Sequence, residues 1–460
     1  MSATPRIIII GAGLAGLACA RALSGRGLSC TILDASDEIG GRVRTDRVDG
    51  FQLDRGFQVF LSGYPEAQAT LDYPALKLQT FHPGALVRYA GRFHRVSDPF
   101  RRPQDALATA MSSIGSLRDK LTMLKLRQDA LHRQLSTRAG GGAQTTLEAL
   151  QAYGFSSAMQ ERFFRPFLGG VFLDQSLSTP CVVFEQVWAA FSYGAIALPQ
   201  EGMGAIARQL AEEIPKATIR LRAPVARLDG GRVVLVSGER LDSDAVVLAT
   251  DYATAATLRG EPVPTDPGRR SMSLYFDAAP VRGPWLMVNG DGQGPIGTAS
   301  VLSEVSPAYA PAGRALVAVS LADQSTSDSP ELLAAVRRQL CDWFGRQAAS
   351  ADRLHRPGLA PALSPRGAER SWPASHPPWS LSLRRLLCLG DVRWGIALRT
   401  SGCRGAPRRR QRLVKGCPHD EDETVGLDGG GSDDRALWLG ARCSCRSLVR
   451  ISAPGARRRR

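Results

Sequence analysis

The 460-residue chain is 43% hydrophobic and 22% charged, the balance of a water-soluble globular protein long enough for two domains. Its net charge of +15 suggests nucleic acid only until it is mapped: residues 392–460 carry +9, and the preceding 391 carry +6. No stretch approaches the roughly 18 apolar residues of a membrane span, and Pro5-Arg6 before four isoleucines cut short by Gly11 is no signal peptide.

These features predict a cytoplasmic protein whose body binds small molecules rather than nucleic acid, with peripheral membrane contact left open. The body cysteines (Cys19, Cys30, Cys181, Cys341 and Cys388) are scattered singly, which predicts reduced thiols rather than a disulfide framework.

Residues 6–10 are short, β-branched and without alternation, as in a parallel strand buried on both faces. Gly11-Ala12-Gly13-Leu14-Ala15-Gly16 follows. Gly11 permits the tight turn, Gly13 lets backbone approach a pyrophosphate, and Gly16 lets the next helix pack on the strand. Leu14 to Leu23 suits that helix, whose first N–H groups face the phosphates. Leu28 to Leu33 reads as a second strand, and Asp34, followed by Ala35, stands where a carboxylate accepts ribose hydroxyls. Charge repulsion there disfavours the 2′-phosphate of NADP but does not separate NAD from FAD.

Next, Gly40-Gly41-Arg42 places a flexible pair and a guanidinium beyond the second strand, within reach of a pyrophosphate or ribose. Gly56-Phe57 then punctuates a β-like stretch, Gly50 to Phe60. With GxGxxG, an acid and GGRxxT in this order, the chain resembles the flavin-containing amine oxidases and, in the same superfamily, the phytoene desaturases and protoporphyrinogen oxidases. The resemblance implies FAD as the bound nucleotide. It also implies an α/β fold: a Rossmann-like FAD-binding domain with an inserted α+β substrate domain.

On that pattern residues 1–60 are the first FAD-binding segment, and 61–195 a mainly helical part of the substrate domain. Residues 196–258 are the second FAD-binding segment, 259–370 the β-rich part of the substrate domain, and 371–391 the third FAD-binding segment. Within the helical part, Ala106 to Leu135 has a helical pattern with basic residues between its leucines, read either as a packed helix with a solvated face or as a membrane-surface helix. Ile206, Leu210 and Ile214 recur on one helix face after Gly202 and Gly204. By resemblance the Val225 backbone contacts the adenine, and Gly390-Asp391 lies beside the pyrophosphate and ribityl chain.

After Asp391 the resemblance fails. The helix that should open with small residues is replaced by Pro407 and Arg408-Arg409-Arg410, and the composition shifts to Arg, Gly, Cys and Pro. Three readings of 392–460 stay open: a reading-frame change, a disordered basic tail that binds nucleic acid or acidic membrane, or a metal site. The last is disfavoured because the spacing of Cys403, Cys417, His419, Cys443 and Cys445 matches no standard zinc pattern.

No nucleophile–base set stands out and the six histidines are isolated, so no catalytic residue is assigned. This suits chemistry carried by a flavin. The leading expectation is an FAD-dependent oxidoreductase, of amine oxidase or desaturase type, removing hydride from an amine or apolar substrate. The contrasting ones are a non-enzymatic binding protein similar to Rab GDP-dissociation inhibitors, and an inactive enzyme-derived chain lacking its last FAD-binding helix.

Overall fold

The structure is a computed structural model. It describes residues 5–56, 58–132, 144–214, 217–263, 272–277, 283–322 and 329–345, together with the backbone of strands at 352–353, 397–399, 436–443 and 445–452.

Strand β1 (Ile7–Ile10) lies at the centre of a parallel sheet. Strand β2 (Cys30–Leu33) pairs with one edge of β1 and Ala245–Leu248 with the other, while Ala217–Arg220 extends the sheet beyond β2. The run of isoleucines has a direct explanation. Ile7 and Ile9 join the core that contains Leu17 and Ala20 of helix α1 (Leu14–Ser24), whereas Ile8 and Ile10 join a second core with Val233, Leu235 and Leu258. Both faces are covered, so no polar alternation is required. Each such buried aliphatic side chain contributes about 1.5–3 kcal/mol relative to exposure.

The second face is covered by an antiparallel meander of Val225–Asp229, Arg232–Leu235 and Arg240–Asp242. Strands β3 (Thr45–Val48) and β4 (Phe51–Asp54) form a hairpin around Asp49-Gly50, both with positive φ (49° and 82°), as a tight two-residue turn demands.

The rest of the body is built on a seven-stranded mixed sheet. Its order is 352–353, Ser273–Asp277, Leu316–Leu321, Ile296–Val301, Leu286–Asn289, Gly84–Tyr89 and Arg92–Ser97. The stretch expected to be mainly helical therefore supplies two strands of this sheet, joined through Ala90-Gly91, again at positive φ. Its helices include Leu117–Leu131, Arg165–Phe172 and Cys181–Tyr193.

The single helix expected from Ala106 is two, Ala106–Ala110 and Leu117–Leu131. Gly115 turns at φ 73°, and Ser116 restarts the chain with a capping box to Asp119. Ile206, Leu210 and Ile214 are buried together, along the helix Gly204–Glu212 and just past its end.

The body cysteines Cys19, Cys30, Cys181 and Cys341 are free thiols; Cys388 lies outside the described residues. The 371–391 segment is likewise outside. Of 392–460 the structure describes three strands, Ala397–Arg399, Ala436–Cys443 and Cys445–Ser452, paired as one sheet.

Candidate functional site

The site begins where β1 ends. Gly11, at φ 109°, donates its N–H to Leu33 O at 2.7 Å, and a Cβ there would meet Ala249 O at 2.6 Å. A Cβ on Gly16 would fall 1.9 Å from Gly11 O, so turn and helix touch through the missing side chain. Leu14 and Ala15 are buried at the first turn of α1. That helix has neither a capping side chain at Gly13 nor an acid in its first turn, leaving its N-terminal amides for an outside acceptor.

Asp34 lies directly beneath this bend. One carboxylate oxygen accepts from Ala12 N at 2.6 Å and the other from Ser36 N at 2.7 Å. Each oxygen keeps a second lone pair for a further donor, and the exposed Ala35 leaves the outside open. Arg222 N and Ala223 N donate to Ser36 O and Asp34 O at 2.8 Å, so the chain passes the Asp34 backbone two residues before Val225 opens the meander.

The second glycine pair packs on the first. Gly40 N donates to Ala12 O at 2.9 Å, Gly13 and Gly40 form a parallel bridge, and a Cβ on Gly41 would stand 3.4 Å from Gly13 Cα. Arg42 follows at the mouth of a small cavity of about 100 Å³ and accepts at its carbonyl from Gln58 Nε2 at 3.0 Å. Thus Gly11, Gly13, Gly16, Asp34 and Gly41 converge from three chain segments, with Arg42 next to Gly41 and Val225 two residues past the contact with Asp34. Gly56 is buried behind them, its carbonyl accepting from the Tyr275 hydroxyl at 3.2 Å. Phe57, Gly390 and Asp391 lie outside the described residues.

Two further features flank the site without a sequence motif of their own. Arg44, two residues past Arg42, is buried and ion-paired with Asp37 at 2.8 Å and Glu38 at 2.9 Å. The hydrogen bond and charge of Arg44 hold the Asp37 carboxyl below its usual range. The second feature is a clasp at the buried Asp54. Tyr309 Oη donates to it at 2.7 Å, Thr45 Oγ1 at 2.5 Å and Met203 N at 2.9 Å, while Tyr275 Oη donates to its carbonyl at 2.7 Å. Burial, then the Asp54 charge, pushes the Tyr309 phenol well above its ordinary value, so it stays a donor. The spacing GGRVRT is the one local signal for Arg44 and Thr45; nothing local signals Tyr309.

Beyond Arg42 the small cavity is walled by Tyr64, Val171, Val187 and Met203. It shares Phe167, Phe191 and Ile196 with a larger cavity of about 600 Å³. There Phe163 stacks on Phe167 at 5.5 Å between ring centres, and Trp188 lies edge-on to Phe167 at 6.4 Å. Asp98, Arg101 and Arg127 also line this chamber. His82 and His94 line neither cavity. Burial first, then Arg102 for His82 and Arg92 for His94, holds both below the ordinary 6.5. Among the described residues no group of three or more His, Cys, Asp or Glu is placed to hold a metal ion.

This geometry coincides with a match to known proteins: residues 14–376 fit the family described as flavin containing amine oxidoreductase. The chain belongs to that family. Its cofactor is therefore FAD, and the glycine cradle, with its open amides and the carboxylate below them, fits a dinucleotide.

Among relatives, it is 27% identical over 166 residues to protoporphyrinogen oxidase 2 of Arabidopsis thaliana, covering 36% of this chain and 32% of that one. It is 39% identical over 97 residues to hydroxyneurosporene desaturase of Rubrivivax gelatinosus, covering 20% and 18%. The matched stretches thus span about a third or less of those relatives' own lengths. A solved putrescine oxidase variant superposes with a TM-score of 0.57 at 16% identity, over 76% of this chain and 84% of that one, which establishes the shared α/β fold. No helix among the described residues is long and apolar enough to cross a membrane.

Proposed function

We propose that this flavin-family protein is an FAD-dependent oxidoreductase that removes a hydride from an apolar C–H substrate, in the manner of a desaturase rather than an amine oxidase. The observation that carries the reading is the aromatic chamber, joined to the Arg42 cavity through Phe167, Phe191 and Ile196. FAD supplies the electron-accepting ring; the chain binds, orients and shields.

In this reading the amides of Gly13 to Gly16 and the Arg42 guanidinium hold the diphosphate, and Asp34 holds a ribose. The Val225 backbone meets the adenine. The rings of Phe163, Phe167, Trp188 and Phe191 orient the substrate and exclude water from it.

The choice of an apolar substrate rests on charge. Asp98 is the one acid lining the chamber among the described residues, and it is ion-paired with Arg127 at 3.2 Å and Arg101 at 3.6 Å. An ammonium substrate finds no unpaired carboxylate there, while a hydrocarbon is matched by the walls.

Anaerobic mixing tests this. The yellow holoprotein should lose its oxidised flavin absorbance with an isoprenoid polyene and keep it with putrescine. Bleaching by putrescine alone would replace the apolar reading with an amine one.

A further inference from the structure

Six of the nine large apolar side chains exposed among the described residues gather in one region: Phe100, Leu107, Met111, Leu117, Leu121 and Tyr193, each between 57% and 76% exposed. The segments that carry them are tied together. Lys120 Nζ donates to Ala110 O at 2.7 Å and Ser112 O at 2.8 Å, which draws the start of helix Leu117–Leu131 onto the turn that holds Met111. The Arg127 guanidinium stands 5.2 Å over the Phe100 ring, and the Tyr193 hydroxyl donates to Leu131 O.

The patch is continuous with the chamber. Leu117, Leu121 and Leu124 follow i, i+4, i+7 along one helix face, and Leu124 lines the large cavity with Pro99, Met123, Arg127 and Tyr193. An apolar surface of this kind, at the mouth of an apolar cavity, is unusual on a free globular protein.

Charge selects what covers it. Residues 100–132 hold six Lys and Arg and three Asp. All three carboxylates are turned inward and used: Asp105 by Arg95 and Arg102, Asp119 by Ser116 and Ser156, and Asp129 by the Tyr153 hydroxyl. Arg118 and Lys125 are exposed beside the leucines. The outward face is therefore apolar and basic with no outward acid, a match for the acyl–headgroup boundary of an anionic bilayer. Helix Leu117–Leu131 is 15 residues long and amphipathic, which suits lying on a bilayer rather than crossing it.

We infer that this face docks on an anionic lipid bilayer and opens the aromatic chamber toward the acyl region, so that lipid-dissolved substrate passes into the chamber without crossing water. The docking stands independently of the flavin chemistry; the route into the chamber rests on the apolar-substrate reading above.

The test is co-sedimentation of the full-length chain with phosphatidylcholine vesicles, with and without phosphatidylglycerol. It uses the wild type and Leu107→Glu/Met111→Glu/Leu117→Glu/Leu121→Glu, four exposed positions whose substitution should leave the thermal midpoint unchanged, checked on the same samples. The wild type should partition onto the anionic vesicles, and the variant at least about tenfold less. Three results would overturn the docking: no partitioning, equal partitioning by the variant (binding through the Arg-rich C-terminal residues), or a solution dimer that the variant abolishes (a second copy on the patch). Flavin content, read from the same samples, moves independently of partitioning, so a failure of the oxidoreductase reading is distinguishable from a failure of docking.

Discussion

Gly16 shows how much of the site rests on single atoms. A methyl group there would sit 1.9 Å from the Gly11 carbonyl, so Gly16→Ala must push α1 off β1. The expected cost is about 1–3 kcal/mol in a urea melt, with loss of bound flavin in the same preparation. Asp34 and Gly41 were readable in the sequence for the same reason: a turn without Cβ and an acid at a strand end are local requirements that local residues meet. Asp54 was not readable. Apart from Thr45 on the same hairpin, its partners are Met203, Tyr275 and Tyr309, residues 149 to 255 positions away, and no periodicity encodes a contact of that span. Tyr309→Phe deletes one donor to this buried carboxylate and should cost about 1–3 kcal/mol, measured by urea unfolding.

Among elements, the strand with both faces covered and the helices with one well-buried face are the most legible. The isoleucine strand, α1 and the helix from Gly204 are each marked by a run or a period that the packing explains. The hairpin Gly84–Tyr89/Arg92–Ser97 lies inside the stretch expected to be mainly helical, although Ala90-Gly91 between two β-rich runs is a turn signal. The break at Gly115 is masked in the sequence because leucines continue at helical spacing on its far side. The capping box at Ser116 makes that break a designed start. Ser116→Ala should destabilise the helix by about 1 kcal/mol, and amide exchange should quicken in residues 117–121 before it does in the parallel sheet. Unchanged exchange there would show that packing rather than capping holds the first turn.

At the scale of the molecule, the Asp54 clasp ties the hairpin Thr45–Asp54 to the sheet that backs the chamber, so the proposed cofactor and substrate sites share one buried network. The same sheet carries a pH liability. His82 and His94 titrate below 6.5 in the fold, first because they are buried. The unfolded chain therefore binds more protons below that value, and stability must fall as pH drops through 6.5, levelling off below the folded values. Urea midpoints taken between about pH 7.5 and 5, above the range where carboxylates titrate, should decline, and the decline should be smaller in His82→Asn.

The central claim is that the converging glycines, Asp34 and Arg42 hold an adenine dinucleotide carrying a flavin. The most direct measurement is the absorption spectrum of the purified full-length chain, with chromatography of whatever heat releases from it. The account predicts a yellow protein releasing FAD at close to one per chain, and a marked drop in that ratio for Asp34→Ala. A colourless protein whose thermal midpoint does not rise with added FAD would contradict it.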